Sequence, residues 1–331
     1  MNDKIVFGQY VNVDSWIHRL DPRTKIITLF SLMIGIFFIN SIIPLLVFLG
    51  FNLIIVLTSK ISLNKFLNSF KMVSMLLVFM TLFQILFNNT GEILVLNGFK
   101  FSFDLSLTLY NLIIGIVILV LYILSGKVIK KFRILSFIIA FISIFAVQYF
   151  YKEGYLIVDY NISIYSGSIK TSILVLIRVI NLLTLSALLT FTTKPTDLNS
   201  GIEGIFRPFK FMRSAISIFG MMISIALRFI PTLINESGKI LKAQASRGVD
   251  FNDGTFKEKI MQIVSLLVPM FVISYKKAED LANAMEARAY IPGEDRTRIN
   301  ELKYKLSDIF VFVFLFLFIV SIVTLKIMGL V

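Results

Sequence analysis

Two short phrases place an arginine among small residues, each at the end of a predicted helix. Arg247 lies in Ala245-Ser246-Arg247-Gly248, and Arg288 lies in Ala287-Arg288-Ala289. A guanidinium fork binds carboxylates or backbone carbonyls with defined geometry, and small neighbours keep the helix end thin enough to enter a groove. Gly248 also suits a helix C-terminus, where a cation is favoured by the helix dipole. Taken singly, each phrase is explained by ordinary helix capping, but the pair indicates paired sockets on another protein.

A second pattern consists of small or flexible residues at helical spacing. Four of them recur at i, i+4, i+7 and i+11 and form one narrow stripe, which allows another helix to approach closely. We assign the same packing role to two positions farther upstream. Ordinary helix packing is the alternative explanation. The six residues are Gly220, Ser224, Ala278, Ala282, Met285 and Ala289.

Composition indicates an integral membrane protein, because 57% of the residues are hydrophobic, against about 45–50% in a soluble domain. The net charge of +13 follows from basic residues beside apolar segments, as the positive-inside rule requires, so nucleic acid is not expected as a partner. The chain has no cysteine and a single histidine, His18. Thiol chemistry and a histidine metal cluster are therefore excluded. No phosphate-binding loop of the Gly-x-x-x-x-Gly-Lys-Ser/Thr type occurs, so we expect this chain to bind neither cofactor nor metal.

Apolar runs of near-membrane length predict seven spans. The basic residues gather in the loops 59–71 and 127–133, whereas the loops 89–105 and 151–169 carry acids and few basic residues. This asymmetry predicts a cytoplasmic N-terminus and an external C-terminus. The spans are predicted at about 25–41, 43–58, 72–88, 106–126, 133–150, 170–192 and 307–328.

The predicted fold is an all-α polytopic membrane protein, a helical transmembrane bundle with long cytoplasmic coupling helices. It divides into a cytoplasmic N-terminal segment, 1–24, a bundle of about six spans, 25–192, a cytoplasmic coupling domain, 193–306, and a final transmembrane helix, 307–331.

Two apolar runs in residues 193–306 are candidates for further membrane spans. They cover 214–235 and 260–274, and we predict both as helices at or below the inner face, because crossing would leave several lysines outside. Pro231 and Pro269 are expected to kink or break them.

In the outer loops, alternation of apolar and polar residues predicts short strands. The similarity of 91–103 to 154–164 there is compatible with duplication, although chance explains it more readily.

Three further positions carry weaker signals. Asp21 is predicted to cap the first helix with Pro22 at its first position, beside basic anchors. Arg178 lies inside a predicted span, where an ionisable residue is either functional or extends to the membrane surface. Arg228 is a candidate contact for a partner or a lipid headgroup.

These motifs together resemble the transmembrane T component of energy-coupling factor transporters, the importers of vitamins and transition metals. The resemblance covers nearly the whole chain in the family's order. The matching stretches are Asp14-Ser15, His18-Arg19-Leu20-Asp21-Pro22-Arg23-Thr24-Lys25, Thr192-Thr193-Lys194-Pro195-Thr196-Asp197-Leu198, Ala226-Leu227-Arg228-Phe229-Ile230-Pro231-Thr232-Leu233, Lys242-Ala243-Gln244-Ala245-Ser246-Arg247-Gly248 and Ala284-Met285-Glu286-Ala287-Arg288-Ala289-Tyr290.

The resemblance implies a non-catalytic scaffold in the cell membrane of a prokaryote. Arg247 and Arg288 would dock two cytosolic ATPases, which hold the ATP and magnesium, and the bundle would pass their motion to a small substrate-binding membrane protein. Ser246 stands where the family has Ala, and Ala289 where it has Gly. The chain is also longer than expected, with a surplus near 100–150 that indicates an added helical hairpin.

Two other classes of protein are considered. A self-sufficient secondary transporter would show similar inverted halves and charges at mid-membrane, and neither is evident. A membrane enzyme would need an acid–base or metal constellation, which the chain does not offer. The substrate does not follow from the sequence.

Overall fold

Ten α-helices and four short strands make up the computed structural model, which describes residues 10–96, 99–100, 102–128, 133–151, 155–209, 211, 213–249, 255–294 and 301–328. The predicted helical membrane fold is confirmed. The helices are α1 (Pro22–Phe37), α2 (Ile42–Thr58), α3 (Leu63–Phe87), α4 (Leu109–Val128), α5 (Arg133–Phe150), α6 (Ser166–Thr192), α7 (Pro195–Phe206), α8 (Arg213–Ser246), α9 (Phe256–Glu286) and α10 (Leu306–Ile327). The strands are β1 (Val95–Leu96), β2 (Phe99–Lys100), β3 (Ser102–Thr108) and β4 (Leu156–Ser163).

The chain divides into two compact units. One comprises Met1–Phe30 and Leu189–Leu315, and the other comprises Ser31–Leu188 and Phe316–Val331.

Three described helices are long and apolar enough to cross a membrane, namely α6, α8 and α10. Helix α3 counts as a fourth if its two parts, Leu63–Lys71 and Val73–Phe87, which are bent by 53° to each other, are taken as one span. The apolar helices α2, α4 and α5 are shorter. Length and composition thus admit α8 as a span, whereas the charge distribution predicts it at the inner face. The location of α8 at the inner face of the membrane therefore remains a prediction.

Several predicted boundaries differ from those of the helices: α1 ends at Phe37 rather than near 41, and α6 begins at Ser166 rather than near 170. The loop predicted at 59–71 is largely helical, because α3 begins at Leu63. The span predicted at 106–126 begins too early, because the alternating residues up to Thr108 form strand β3. The loop predicted at 127–133 falls largely outside the described residues.

The two outer-loop segments contain the predicted strands, and two of these strands pair with each other. β3 runs antiparallel to β4, with Phe103 opposite Ile162 and Asp104 opposite Asn161. Opposite residues share a face of a sheet, so one face is apolar and the other polar. Helices α4 and α5 lie between these strands in the sequence and contact each other, so they form the predicted helical hairpin, which we name the additional hairpin because the sequence predicts it as a surplus.

The start of α1 is held by a buried polar cluster, which we name the clasp and define as Asp21, Lys25, Thr192 and Asp308. Asp308 is fully buried, and its carboxylate accepts hydrogen bonds from the backbone N–H of Asp21 (3.0 Å) and of Lys305 (2.7 Å). It therefore satisfies backbone donors at the starts of two helices, α1 and α10.

The lysine of the clasp serves the opposite kind of helix end. The Nζ of Lys25 donates to the carbonyl of Thr192 (3.1 Å), the last residue of α6, and to the carbonyl of His18 (3.3 Å). A cation at a helix C-terminus satisfies an unpaired carbonyl and the negative end of the dipole. The predicted cap by Asp21 is confirmed, because its Oδ1 accepts from the N–H of Arg23 at 2.9 Å. Lys25 itself is only 5% exposed, so it is part of the interior of the first unit.

Helices α7 and α8 approach closely at Gly220. The side chain of Asn199 donates to the carbonyl of Gly220 (2.8 Å) and to Ser224 Oγ (2.9 Å). A Cβ at position 220 would lie 2.5 Å from a carboxylate oxygen of Glu203. The missing side chain therefore makes room for the packing of α7 on α8.

Candidate functional site

Two long helices carry the arginine phrases. α9 begins with a capping box, in which Thr255 and Glu258 satisfy each other's backbone N–H groups. Pro231 lies inside α8 and Pro269 inside α9, and each helix continues through its proline. Of the predicted kink or break, the break is therefore excluded at both prolines, and one continuous helix precedes each phrase.

The end of α8 is a Schellman turn. The N–H of Val249 donates to the carbonyl of Gln244 (3.1 Å), and the N–H of Gly248 donates to that of Ala245 (3.0 Å). Gly248 has φ +88°, the left-handed conformation that this turn requires and that the sequence predicts for a glycine. Arg247 immediately precedes this residue.

The end of α9 repeats the same pattern of hydrogen bonds. The N–H of Tyr290 donates to the carbonyl of Met285 (3.0 Å), and the N–H of Ala289 donates to that of Glu286 (2.9 Å). Here the left-handed position is occupied by Ala289, with φ +54°. Arg288 therefore has the same place in its turn as Arg247 has in the other. We name residues 245–248 and 287–289 the arginine tips.

Both arginine tips are exposed. Every residue of 245–248 and of 287–289 is exposed, and a Cβ at Gly248 would meet no atom within 4 Å. The backbone turn thus fixes an exposed arginine at each helix end, among small residues. This arrangement suits insertion of a charged fork into a cavity lined by carboxylates or carbonyls.

The tips point in opposite directions because α8 and α9 are antiparallel. Glu236 lies 3.8 Å from Lys277, and Gln244 donates to the carbonyl of Ser265 at 3.5 Å. Residue numbers thus rise along one helix as they fall along the other. Each tip arginine lies eleven residues beyond its member of the Glu236–Lys277 pair. At about 1.5 Å per residue, the tips therefore lie ~33 Å apart along the direction of the helix axes.

The predicted stripe is only partly a helical stripe. Ala278 and Ala282 are exposed and Met285 is half-buried. Ala289 lies beyond the end of α9, because the turn takes it out of the helix, so its predicted place on the stripe is wrong. By their exposure, Ala278 and Ala282 are open to a partner.

The remaining predicted positions are placed as follows. Gly220 and Ser224 contact α7 within the chain. Arg228 is exposed on α8. Arg178 donates to the carbonyl of Ile39 at 2.7 Å, just beyond the end of α1, and lies over the ring of Phe37. Its contacts are thus made with its own chain.

Several buried polar contacts were missed from the sequence. Asn52 on α2 donates to Asn181 on α6 at 2.9 Å, and both side chains are buried. Asn181 donates in turn to the carbonyl of Ile177 at 3.0 Å. Such pairs join apolar helices by a hydrogen bond between buried amide groups, and a polar residue inside an apolar run was the available signal.

The histidine is part of the N-terminal structure. His18 contacts Ser15 Oγ (2.7 Å) and the carbonyl of Val11 (3.0 Å). Partial burial lowers the pKa of His18 below its usual 6.5, and the nearby charge of Lys25 acts in the same direction. In the described part of the chain, no group of three His, Asp or Glu side chains could hold a metal ion.

Comparison with known proteins matches the chain to the family model CbiQ, described as a cobalt transport protein. Residues 13–119 and 101–299 match, and the two ranges overlap where the additional hairpin begins.

Several relatives are named energy-coupling factor transporter transmembrane protein EcfT. The protein of Streptococcus thermophilus is 31% identical over 306 residues, covering 92% of each chain. That of Macrococcus caseolyticus is 33% identical over 309 residues, covering 93% of each. That of Bacillus selenitireducens is 29% identical over 329 residues, covering 99% of this chain and 100% of the relative.

Proposed function

The chain belongs to the CbiQ and EcfT family of energy-coupling factor transporter transmembrane proteins, and on this premise we propose that it is the coupling subunit of an importer. In this proposal two cytosolic ATPases bind and hydrolyse ATP with magnesium. The helices α8 and α9 transmit their motion to a separate, small membrane protein that binds the substrate, a vitamin or a transition metal. The chain itself catalyses no reaction.

The observation that carries the proposal is the pair of matched arginine tips. The same turn places Arg247 and Arg288 at exposed helix ends that point in opposite directions. One tip is therefore available to each of two ATPases. Because both tips belong to one antiparallel helix pair, a movement of either ATPase is transmitted to the other helix through contacts such as Glu236–Lys277.

The exposed alanines of α9 support the second contact. Ala278 and Ala282 lie one helical turn apart and leave the backbone accessible. A partner helix approaches closely at small residues, and it slides over them without displacing large side chains. We assign this face to the substrate-binding membrane protein.

The orientation follows from charge. Basic loops predict a cytoplasmic N-terminus in the cell membrane of a prokaryote, and the arginine tips then lie on the side where ATP is available.

Reconstitution tests the docking role. The chain is combined in proteoliposomes with its ATPases and its substrate-binding protein, and ATP-driven uptake is measured for Arg247→Glu and Arg288→Glu. A carboxylate in a socket for arginine is repelled, so we expect each variant to lose about tenfold or more of the uptake rate.

Lys276→Glu is the matched control, because it makes the same charge change at an exposed position in the middle of α9. It should retain most of the uptake. Normal uptake by both arginine variants would refute the docking role. Uptake by the chain alone would support a self-sufficient secondary transporter instead.

A further inference from the structure

A half-open cavity of about 470 Å³ lies within the second unit, under the sheet formed by β3 and β4, and lining residues such as Phe150 and Ile142 are exposed. Its walls come from α3, through Leu82 and Leu86, and from α5, through Phe141, Phe145 and Ala146. The additional hairpin thus supplies one wall and the predicted outer end of α3 supplies the other.

The apolar face of the β3–β4 sheet forms one side of the cavity, and the polar face of the same sheet is the one exposed to solvent. Phe103 of β3 and Ile162 of β4 are directly opposite each other and both line the cavity. Asp104 and Asn161, which are the next opposite pair, are exposed. The alternation of the two strands therefore separates an apolar interior from a wet exterior.

The lining offers no means of recognising a polar molecule. The thirteen lining residues are aliphatic or aromatic, and Tyr149 alone carries a hydroxyl group. The one polar group on the inner face of the sheet, the hydroxyl of Tyr160, donates to Gln148. Pockets for soluble ligands carry several polar groups that orient the ligand. A vitamin or a hydrated metal ion would therefore find no partner here.

An empty or water-filled cavity is also disfavoured. Side chains that line an unfilled cavity lose dispersion contacts on one side, and an apolar lining offers water no hydrogen bonds. The volume is in the range of about 300–1,000 Å³ that ligand sites occupy. In a membrane, the abundant apolar material of matching chemistry is the lipid tail, which is as apolar as a leucine side chain.

We infer that this cavity is a binding site for one acyl chain of a membrane phospholipid. The chain enters between α3 and α5 and lies beneath the apolar face of the β3–β4 sheet. The bound lipid fills the gap between the additional hairpin and the bundle. This inference is independent of the proposed coupling role, because it uses no residue of the arginine tips.

Native mass spectrometry of the protein, purified in mild detergent from its membrane, tests the site. Ala146→Trp fills the cavity from within, and Leu121→Trp is the matched control on α4, where residue 121 is exposed and does not line the cavity. We expect the wild type and the control to retain roughly one phospholipid under activation that removes loosely held lipid, and Ala146→Trp to lose it.

Ala146→Leu adds less volume and should reduce the retained fraction to an intermediate value, which keeps the test valid if the larger side chain prevents folding. Monodisperse gel filtration verifies that each variant is folded. Equal phospholipid retention by folded wild type, Ala146→Leu and Ala146→Trp would overturn the inference. So would a wild type without a retained phospholipid, or an adduct with the mass of a free fatty acid.

Discussion

The clasp and the arginine tips are both built from charged residues at helix ends, yet one is closed and the other open. In the clasp, Asp308 is fully buried and bonds to backbone groups at the starts of α1 and α10. At the tips, Arg247 and Arg288 are exposed. The charges of the clasp hold their own chain together, whereas the geometry of the tips is fixed by backbone bonds and leaves the guanidinium groups available to another protein.

Breaking the clasp should give the largest effect on stability. Asp308→Ala leaves the N–H groups of Asp21 and Lys305 buried without their acceptor, which should lower the free energy of unfolding by about 3 kcal/mol. Thermal unfolding in detergent measures this loss as a fall of several degrees in the melting temperature. Asp308→Asn retains one acceptor oxygen and should fall less. An unchanged melting temperature for Asp308→Ala would show that the clasp is not a stabilising contact.

The two arginine tips differ in the residue that adopts the left-handed conformation, which is Gly248 in one and Ala289 in the other, and substitutions at these positions compare the two turns. Ala289→Gly removes the strain of a Cβ at φ +54° and should stabilise the end of α9 by about 1 kcal/mol, while Gly248→Ala should destabilise the end of α8 by a similar amount. Hydrogen exchange at the amides of Val249 and Tyr290, which close the two turns, reports each effect locally. Exchange that changes in the same direction at both amides would contradict the matched geometry of the turns.

Acid should act on the N-terminal structure and leave the tips unchanged. Because burial lowers the pKa of His18 in the folded chain, the unfolded chain binds more protons near pH 6.5 and below. The contribution of His18 to stability is therefore complete above that pH and decreases as the pH falls. Melting temperatures between pH 7.5 and 5.5 measure this effect, and His18→Gln should flatten the curve. A wild-type melting temperature that rises as the pH falls from 7.5 to 5.5 would contradict the lowered pKa of His18.

Local signals in the sequence predicted several features that the structure contains. Asp21 with Pro22 gives the start of α1, Gly248 gives the turn after α8, and alternation gives the strands β3 and β4. Each of these depends on neighbours within a few residues.

Two other features of the structure do not follow from local sequence patterns. One depends on residues that are far apart in the chain, and the other contradicts the backbone preference of its residue type. Lys25 bonds to Thr192, which is 167 residues away, so no local pattern shows that it is buried. Ala289 adopts a conformation that alanine disfavours, and the backbone bonds of the turn outweigh that preference. For this reason the small-residue stripe of α9 ends at Met285, and Ala289 is not part of it.

Co-purification tests the central claim most directly. The tagged chain is isolated from the membranes of its host, as wild type and as the double variant Arg247→Glu/Arg288→Glu, and the bound proteins are identified by mass spectrometry. The account predicts that the wild type brings down two related ATPases and a small membrane protein, and that the double variant loses the ATPases but keeps the membrane protein. Equal recovery of the ATPases by both forms, or a wild type that purifies alone, would contradict the account.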